Sequence, residues 1–400
     1  MTSSALLYDF LAKACFDAKT KEGRLMDDKT ILFAAGGTGG HINPALSVAG
    51  LIRYLHPNCK IHFVGTADHM EAKLVPAANY AFHTIEISGF QRSLKPKNIL
   101  RNFGTLKKLL AVNGQVQKIL ANVQPDLVVG FGGYVSGPVV RLASKRGLPT
   151  AIHEQNAYPG ITNRTLAKLV DTVMLANEAA AARFVCKNPP VVTGLPVRRE
   201  LLYADRAKSR AELGLDERPM VLSMGGSLGA REVNDAVVGM IALLWKKHRT
   251  YFHHAYGKFG VWVPGKLTKA GVPLDLPELT LRSYIDDMER CMSAADLVIG
   301  RSGASSVCEL AAMGKPSILI PSPNVAENHQ YYNAKVLADA GAAILIEEKN
   351  LTPKLLAQTV ESLLANPERL RAMAQAAKSQ AVDDANERIY DALRARLIAP

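Results

Sequence analysis

Thr30-Ile31-Leu32-Phe33-Ala34-Ala35-Gly36-Gly37-Thr38-Gly39-Gly40-His41-Ile42-Asn43-Pro44 is the segment from which the architecture can be read. The unbroken apolar run Ile31–Ala35 reads as a strand buried on both faces, as in a parallel sheet covered by helices. The glycines after it leave backbone N–H groups open to a ligand, at a helix start that favours negative charge. A turn needed only for strand-to-helix geometry would use the same glycines, so one such turn does not define a ligand. A dinucleotide fingerprint needs a third glycine at Ile42 and an acid at the end of the next strand, where Val64-Gly65 stands. Both are missing. The phosphate-loop pattern ending in Gly-Lys and a hydroxyl residue is also absent.

Working outward, short apolar runs alternate with helical patterns. Ile61–Val64, Leu127–Val129, Thr150–His153 and Thr172–Leu175 continue the first series of strands. A second series opens at Met220–Met224 and runs through Tyr251–His254, Leu279–Arg282, Leu297–Ile299, Ser317–Ile320 and Ala343–Ile346. Val191–Leu202, with Pro196, reads as the hinge between them. The expected fold is therefore α/β, with two doubly wound, Rossmann-like parallel sheets facing across a cleft. The division is a leader over 1–29, domains over 30–194 and 195–372, and a C-terminal helix over 373–400 that returns to the first domain. Residues 5–15 place Leu6, Leu7, Phe10, Leu11 and Ala14 on one helical face, suited to loose packing or to a membrane surface.

Ligands in such sheets bind beyond the carboxyl ends of the strands. The second series repeats the glycine device there, as Gly225-Gly226-Ser227-Leu228-Gly229-Ala230. Farther on, Arg301-Ser302-Gly303-Ala304-Ser305-Ser306-Val307-Cys308-Glu309 opens a helix whose free N–H groups suit a diphosphate. Glu309 is placed either to accept bonds from ribose hydroxyls or to answer the helix dipole. His153-Glu154-Gln155-Asn156 leaves a buried strand as a polar cluster, and Arg198 on the hinge reads as a phosphate partner or a solvated charge.

Composition narrows the class. Hydrophobic residues make up 48% and charged residues 21% of 400, which argues against disorder and for two cores. No apolar run approaches the length of a membrane span, and the N-terminus lacks a basic signal region. Five scattered cysteines without Cys-x-x-Cys fit reduced thiols. The net charge of +12 suits polyanions, but no nucleic-acid motif accompanies it. Gly89–Leu110 interleaves Arg92, Lys95, Lys97 and Arg101 with Phe90, Leu94 and Phe103, fitting an anionic leaflet or, on its apolar side, the core.

Read together, Gly36–His41, Gly130–Tyr134, His153–Asn156, Thr193–Arg198, Gly225–Ala230, Arg301–Glu309 and His329–Ala334 resemble the MurG family of glycosyltransferases, over about residues 30–390. The resemblance implies a GT-B fold and inverting transfer of N-acetylglucosamine from UDP-N-acetylglucosamine to the 4-hydroxyl of the muramyl residue of lipid I, giving lipid II. It implies no cofactor and no bound metal, in keeping with the lack of an Asp-x-Asp motif, and a peripheral place on the cytoplasmic face of the inner membrane. The first domain then takes the acceptor and the second the UDP-sugar. Carried over, His41 is the catalytic base, and Thr38, Gly39 and Gly40 line the donor sugar and acceptor. Asn156 and Gln330 contact the sugar. Arg198, Ser227, Ile285 and the turn Ala304, Ser305, Ser306, Val307, Cys308 and Glu309 hold UDP, with Glu309 on the ribose. Alternatives are a GT-B enzyme for another acceptor, a UDP-N-acetylglucosamine 2-epimerase, or a non-catalytic UDP-sugar-binding protein at the membrane. The sequence departs from the family pattern at Leu195, at Leu228 and at His254-Ala255-Tyr256-Gly257.

Overall fold

The computed structural model describes residues 26–87 and 111–398. The leader segment 5–15 and the basic, apolar stretch Gly89–Leu110 fall outside them. Two all-parallel sheets form. The first holds seven strands in the order β3-β2-β1-β4-β5-β6-β7: β1 Thr30–Ala35, β2 Lys60–Gly65, β3 Ala81–Thr84, β4 Leu127–Gly132, β5 Thr150–Glu154, β6 Thr172–Leu175 and β7 Val191–Val192. The second holds six in the order β10-β9-β8-β11-β12-β13: β8 Met220–Met224, β9 Tyr251–Ala255, β10 Leu279–Arg282, β11 Leu297–Gly300, β12 Ser317–Leu319 and β13 Ala343–Leu345. Among the described residues no helix is long and apolar enough to cross a membrane.

The apolar run at β1 is buried on both faces, as its lack of alternation implied. Ile31 and Phe33 enter one core with Ile42, Val48 and Ile52 of helix α1, Gly39–Leu55. Leu32 and Ala34 enter another with Val135, Val139 and Val140. Burial is worth about 1.5–3 kcal/mol for a large apolar side chain. Differences in strand propensity span only about 1 kcal/mol, so packing fixes the register. Phe33 stacks on Phe63 with ring centroids 5.2 Å apart, tying β1 to β2.

The remaining helices needed below are α2 Glu71–Ala77, α3 Gly133–Lys145, α4 Arg231–Leu244, α5 Ala304–Ala312, α6 His329–Asp339, α7 Pro367–Ser379 and α8 Ala385–Ile398. In each sheet the strand order reverses beside the first strand, between β1 and β4 and between β8 and β11. Such a switch point leaves a crevice at the carboxyl ends of the strands. Both glycine turns open into it.

Two edges differ from expectation. β3 and β7 are sheet members with no counterpart in the sequence reading, and Val191–Val192 belongs to the first sheet rather than to the hinge. The C-terminal segment is two helices, α7 and α8, not one over 373–400. The break has a packing cause: Val382 fills the space left by Gly194, where a Cβ would lie 2.6 Å from the valine. Gly194 has φ +76, a backbone that only glycine adopts without strain. Beyond the break α8 lies on α1, with Ile389, Tyr390 and Leu393 buried and Tyr390 Oη 2.8 Å from His56 Nε2.

Candidate active site

The turn after β1 is built by close approach. Gly37 has φ +87, and a Cβ on Gly133 would lie 2.3 Å from the Gly36 carbonyl oxygen, so the loops after β1 and β4 meet backbone to backbone. His41, in the first turn of α1, lays its ring over Gly132, where a Cβ would stand 2.7 Å from His41 Cδ2. Ser136, fully buried at the start of α3, fixes that glycine: its Oγ accepts from Gly132 N–H at 2.9 Å and lies 2.7 Å from the Ala34 carbonyl.

His41 Nδ1 is 3.1 Å from the Gly36 carbonyl oxygen and 3.3 Å from Thr38 Oγ1. A carbonyl can only accept, so Nδ1 carries the proton and Nε2 the lone pair. Burial lowers the His41 pKa below its usual value; the Gly36 bond opposes this, His329 of the second domain adds to it, and Glu71 opposes it again. The imidazole is therefore neutral near physiological pH. Thr38 is the N-cap residue of α1 but makes no side-chain cap bond, and no acid sits in the first turn with Gly39 and Gly40. That start keeps its positive potential.

The cluster after β5 is a network. Glu154, buried, accepts from the Asn156 backbone at 2.9 Å, Asn156 Nδ2 at 3.0 Å, Asn163 Nδ2 at 2.9 Å and Gly160 N–H at 3.1 Å. Burial pushes its pKa up against those bonds. Asn156 Oδ1 accepts from Asn333 Nδ2 at 3.1 Å, and Asn333 Oδ1 accepts from Ala157 N–H at 2.8 Å. The Asn333 amide also donates to Ser302 O at 3.2 Å, so one side chain joins the two domains beside the cleft. Gln330 accepts from Ser322 N–H at 2.9 Å through Oε1.

On the second domain Arg198 and Glu309 hold each other, Nε to Oε1, at 3.0 Å. Burial raises the Glu309 pKa, and the guanidinium brings it down. Helix α5 starts at Gly303 with no capping side chain and no acid in its first turn, which leaves the N–H groups at Ala304, Ser305 and Ser306 facing outward. Val307 and Cys308 line an interdomain cavity with Leu195 and Val197. Burial raises the Cys308 thiol to about 12. Ile285 is likewise 4% exposed, whereas Ser227 is open at the turn after β8, where its carbonyl accepts from Lys258 N–H at 3.1 Å. Leu228 beside it is 56% exposed.

The sequence reading missed Glu71, Ser136 and the bridging role of Asn333. Each has a partner far off in sequence: Gly37 for Glu71, Ala34 for Ser136, and Asn156 and Ala157 for Asn333. Among the described residues no group of three or more His, Cys, Asp or Glu side chains is placed to hold a metal ion.

Two facing parallel-sheet domains, each opening a glycine turn and a bare helix start into one cleft, define a nucleotide-sugar transferase of the GT-B class. The glycosyltransferase family 28 N-terminal domain matches residues 31–175, and the family 28 C-terminal domain matches residues 220–389. A UDP-N-acetylglucosamine–N-acetylmuramyl-(pentapeptide) pyrophosphoryl-undecaprenol N-acetylglucosamine transferase from Acetivibrio thermocellus is 40% identical over 91% of this chain and 97% of its own. The crystal structure of Acinetobacter baumannii MurG superposes with a TM-score of 0.72 at 30% identity, covering 92% of this chain and 99% of its own. A UDP-N-acetylglucosamine 2-epimerase from Neisseria meningitidis, solved with UDP-N-acetylglucosamine, has a TM-score of 0.63 at 14% identity, a likeness of fold alone. The chain belongs to the MurG family of N-acetylglucosaminyltransferases.

Proposed function

We propose that the cleft transfers N-acetylglucosamine from UDP-N-acetylglucosamine to the 4-hydroxyl of the muramyl residue of an undecaprenyl-pyrophosphoryl acceptor, with His41 as the base. The acceptor oxygen attacks the anomeric carbon on the face opposite UDP. Its proton passes to His41 Nε2, the new C–O bond forms, and the old bond's electron pair leaves on the UDP oxygen, which inverts the anomeric centre. Fixed donors aimed at the developing charge lower the barrier most in such a transfer. Here Arg198, Ser227 and the N–H groups that open α5 are the candidates. Ribose hydroxyls compete with Arg198 for Glu309, which frees the guanidinium for the diphosphate. Asn156 and Gln330 contact the transferred sugar, while Ile285 and the Val307–Cys308 backbone line the UDP.

The observation that carries this reading is the His41 imidazole, neutral and held at Nδ1 by a carbonyl, with Nε2 left to take a proton. A lipid-linked acceptor requires contact with a membrane, and we assign this chain a peripheral place on the cytoplasmic face.

The test is transfer of labelled sugar from UDP-N-acetylglucosamine to a lipid I analogue. Transfer with release of UDP supports the reading. A folded protein that binds UDP but forms no product on this acceptor contradicts it and points to another acceptor or to a sensor.

A further inference from the structure

Glu71 is fully buried in the first domain, at the start of α2, and belongs to none of the segments that resemble the family. Its carboxylate lies under the glycine turn. Oε2 accepts from Gly37 N–H at 3.0 Å, and Oε1 accepts from Thr66 N–H at 3.0 Å and Thr66 Oγ at 2.8 Å. Three donors converge on one group, which therefore has to be an acceptor at both oxygens; a carboxylate meets that demand and an amide does not. The fit is tight as well. A Cβ on Gly36 would stand 2.7 Å from Glu71 Oε1, and one on Gly65 would stand 2.4 Å from Glu71 Cγ.

The residue it braces is the one that matters for the base. Gly36 supplies the carbonyl that holds His41 Nδ1, and Gly37 is the next peptide. We propose that Glu71 is a positioning residue for His41: it locks the turn whose Gly36 carbonyl fixes the imidazole tautomer. The inference rests on the transfer reading of the cleft. Among the described residues, these charged and titratable groups face the pair. His41 is faced by His329 from α6 and by Glu71 from α2. Behind Glu71, Thr66 Oγ lies 2.8 Å from His69 Nδ1, which is itself 2.8 Å from Asp68 Oδ1. Burial drives His41 toward the neutral form, His329 adds to this, and Glu71 works against both. Losing Glu71 therefore moves the His41 titration to lower pH and weakens the base.

Two variants separate the parts. Glu71→Gln keeps the shape but turns an amide toward donors and removes the charge. Glu71→Asp keeps the charge but shortens the reach to Gly37. Each is measured by thermal melting, by NMR titration of the His41 ring (assigned by its loss in His41→Ala), and by transfer rate against pH. For folded Glu71→Gln we expect a lower His41 pKa, an acid limb of kcat moved to lower pH, and a kcat reduced roughly tenfold or more, in line with loss of a buried charged hydrogen bond. KM for UDP-N-acetylglucosamine stays near the wild-type value. Glu71→Asp returns the titration toward wild type while kcat stays low. A folded Glu71→Gln with the wild-type His41 titration and wild-type pH profile overturns the proposal. So does failure of both variants to fold, which would make Glu71 a purely structural carboxylate. If wild type itself transfers nothing, the transfer reading fails, and the NMR titration still decides whether Glu71 sets the His41 pKa.

Discussion

One bond decides what His41 can do. With Nδ1–H committed to the Gly36 carbonyl, the ring can accept only at Nε2, and burial lowers its pKa toward the neutral form. Replacing it by alanine removes the proton acceptor but no UDP contact. His41→Ala is therefore expected to lower kcat by roughly two orders of magnitude or more, as for other positioned bases, with KM for the donor little changed in steady-state assays. Gly132→Ala tests the seat of the ring. A Cβ there would meet His41 Cδ2 at 2.7 Å, on a backbone with φ +101. The expected result is a folded, less stable protein with kcat reduced and UDP affinity kept, read by urea unfolding and by UDP titration.

At the scale of elements, helix α5 is the proposed donor side. Glu309 sits in its second turn, paired with Arg198 from the hinge. Glu309→Ala is expected to weaken UDP binding roughly tenfold or more, the usual cost of losing a charged hydrogen bond; calorimetric titration reads it. Both central strands and the turns after them were legible in the sequence because burial on two faces leaves unbroken apolar runs such as Ile31–Ala35 and Met220–Met224. The edge strands were not: Ala81–Thr84 is short and partly exposed, and Val191–Val192 has only two residues. The candidate site was legible where it lies in one turn, as at Gly36–His41. It was not where it is assembled across the chain, since Glu71 reaches Gly37 over 34 positions and Arg198 reaches Glu309 over 111. Val307 and Cys308, read as part of the UDP turn, also line an interdomain cavity with Leu195 and Val197, a contact across the chain that no local pattern marks.

Across the whole molecule, the two domains are joined by bridging side chains and by two crossings of the chain, at the hinge and between α7 and α8. Asn333 ties Asn156 and Ala157 to Ser302, and Tyr332 stacks on Tyr158 at 4.7 Å with Arg183 over both rings. The interior also makes the fold sensitive to acid. Burial drives His153, His253 and His254 each down to about 4 from 6.5. Their folded pKa values lie below the unfolded one, so the unfolded chain binds more protons in that window. The stability they allow is complete above pH 6.5 and is lost as pH falls toward about 4. Each costs about 1.4 kcal/mol per pH unit within the window. The urea midpoint is therefore expected to fall between about pH 7 and about pH 5 with an unchanged slope against denaturant; a flat midpoint would show that these rings protonate in place.

The first measurement to make is the single-turnover transfer rate at saturating UDP-N-acetylglucosamine, from about pH 5 to about pH 8, for wild type and His41→Ala. Wild type should form β-linked product with an acid limb below pH 6.5, and the variant should lose both the limb and roughly a hundredfold or more of the rate. A folded His41→Ala that keeps the wild-type rate and the same acid limb would remove His41 from the chemistry and with it the proposed mechanism.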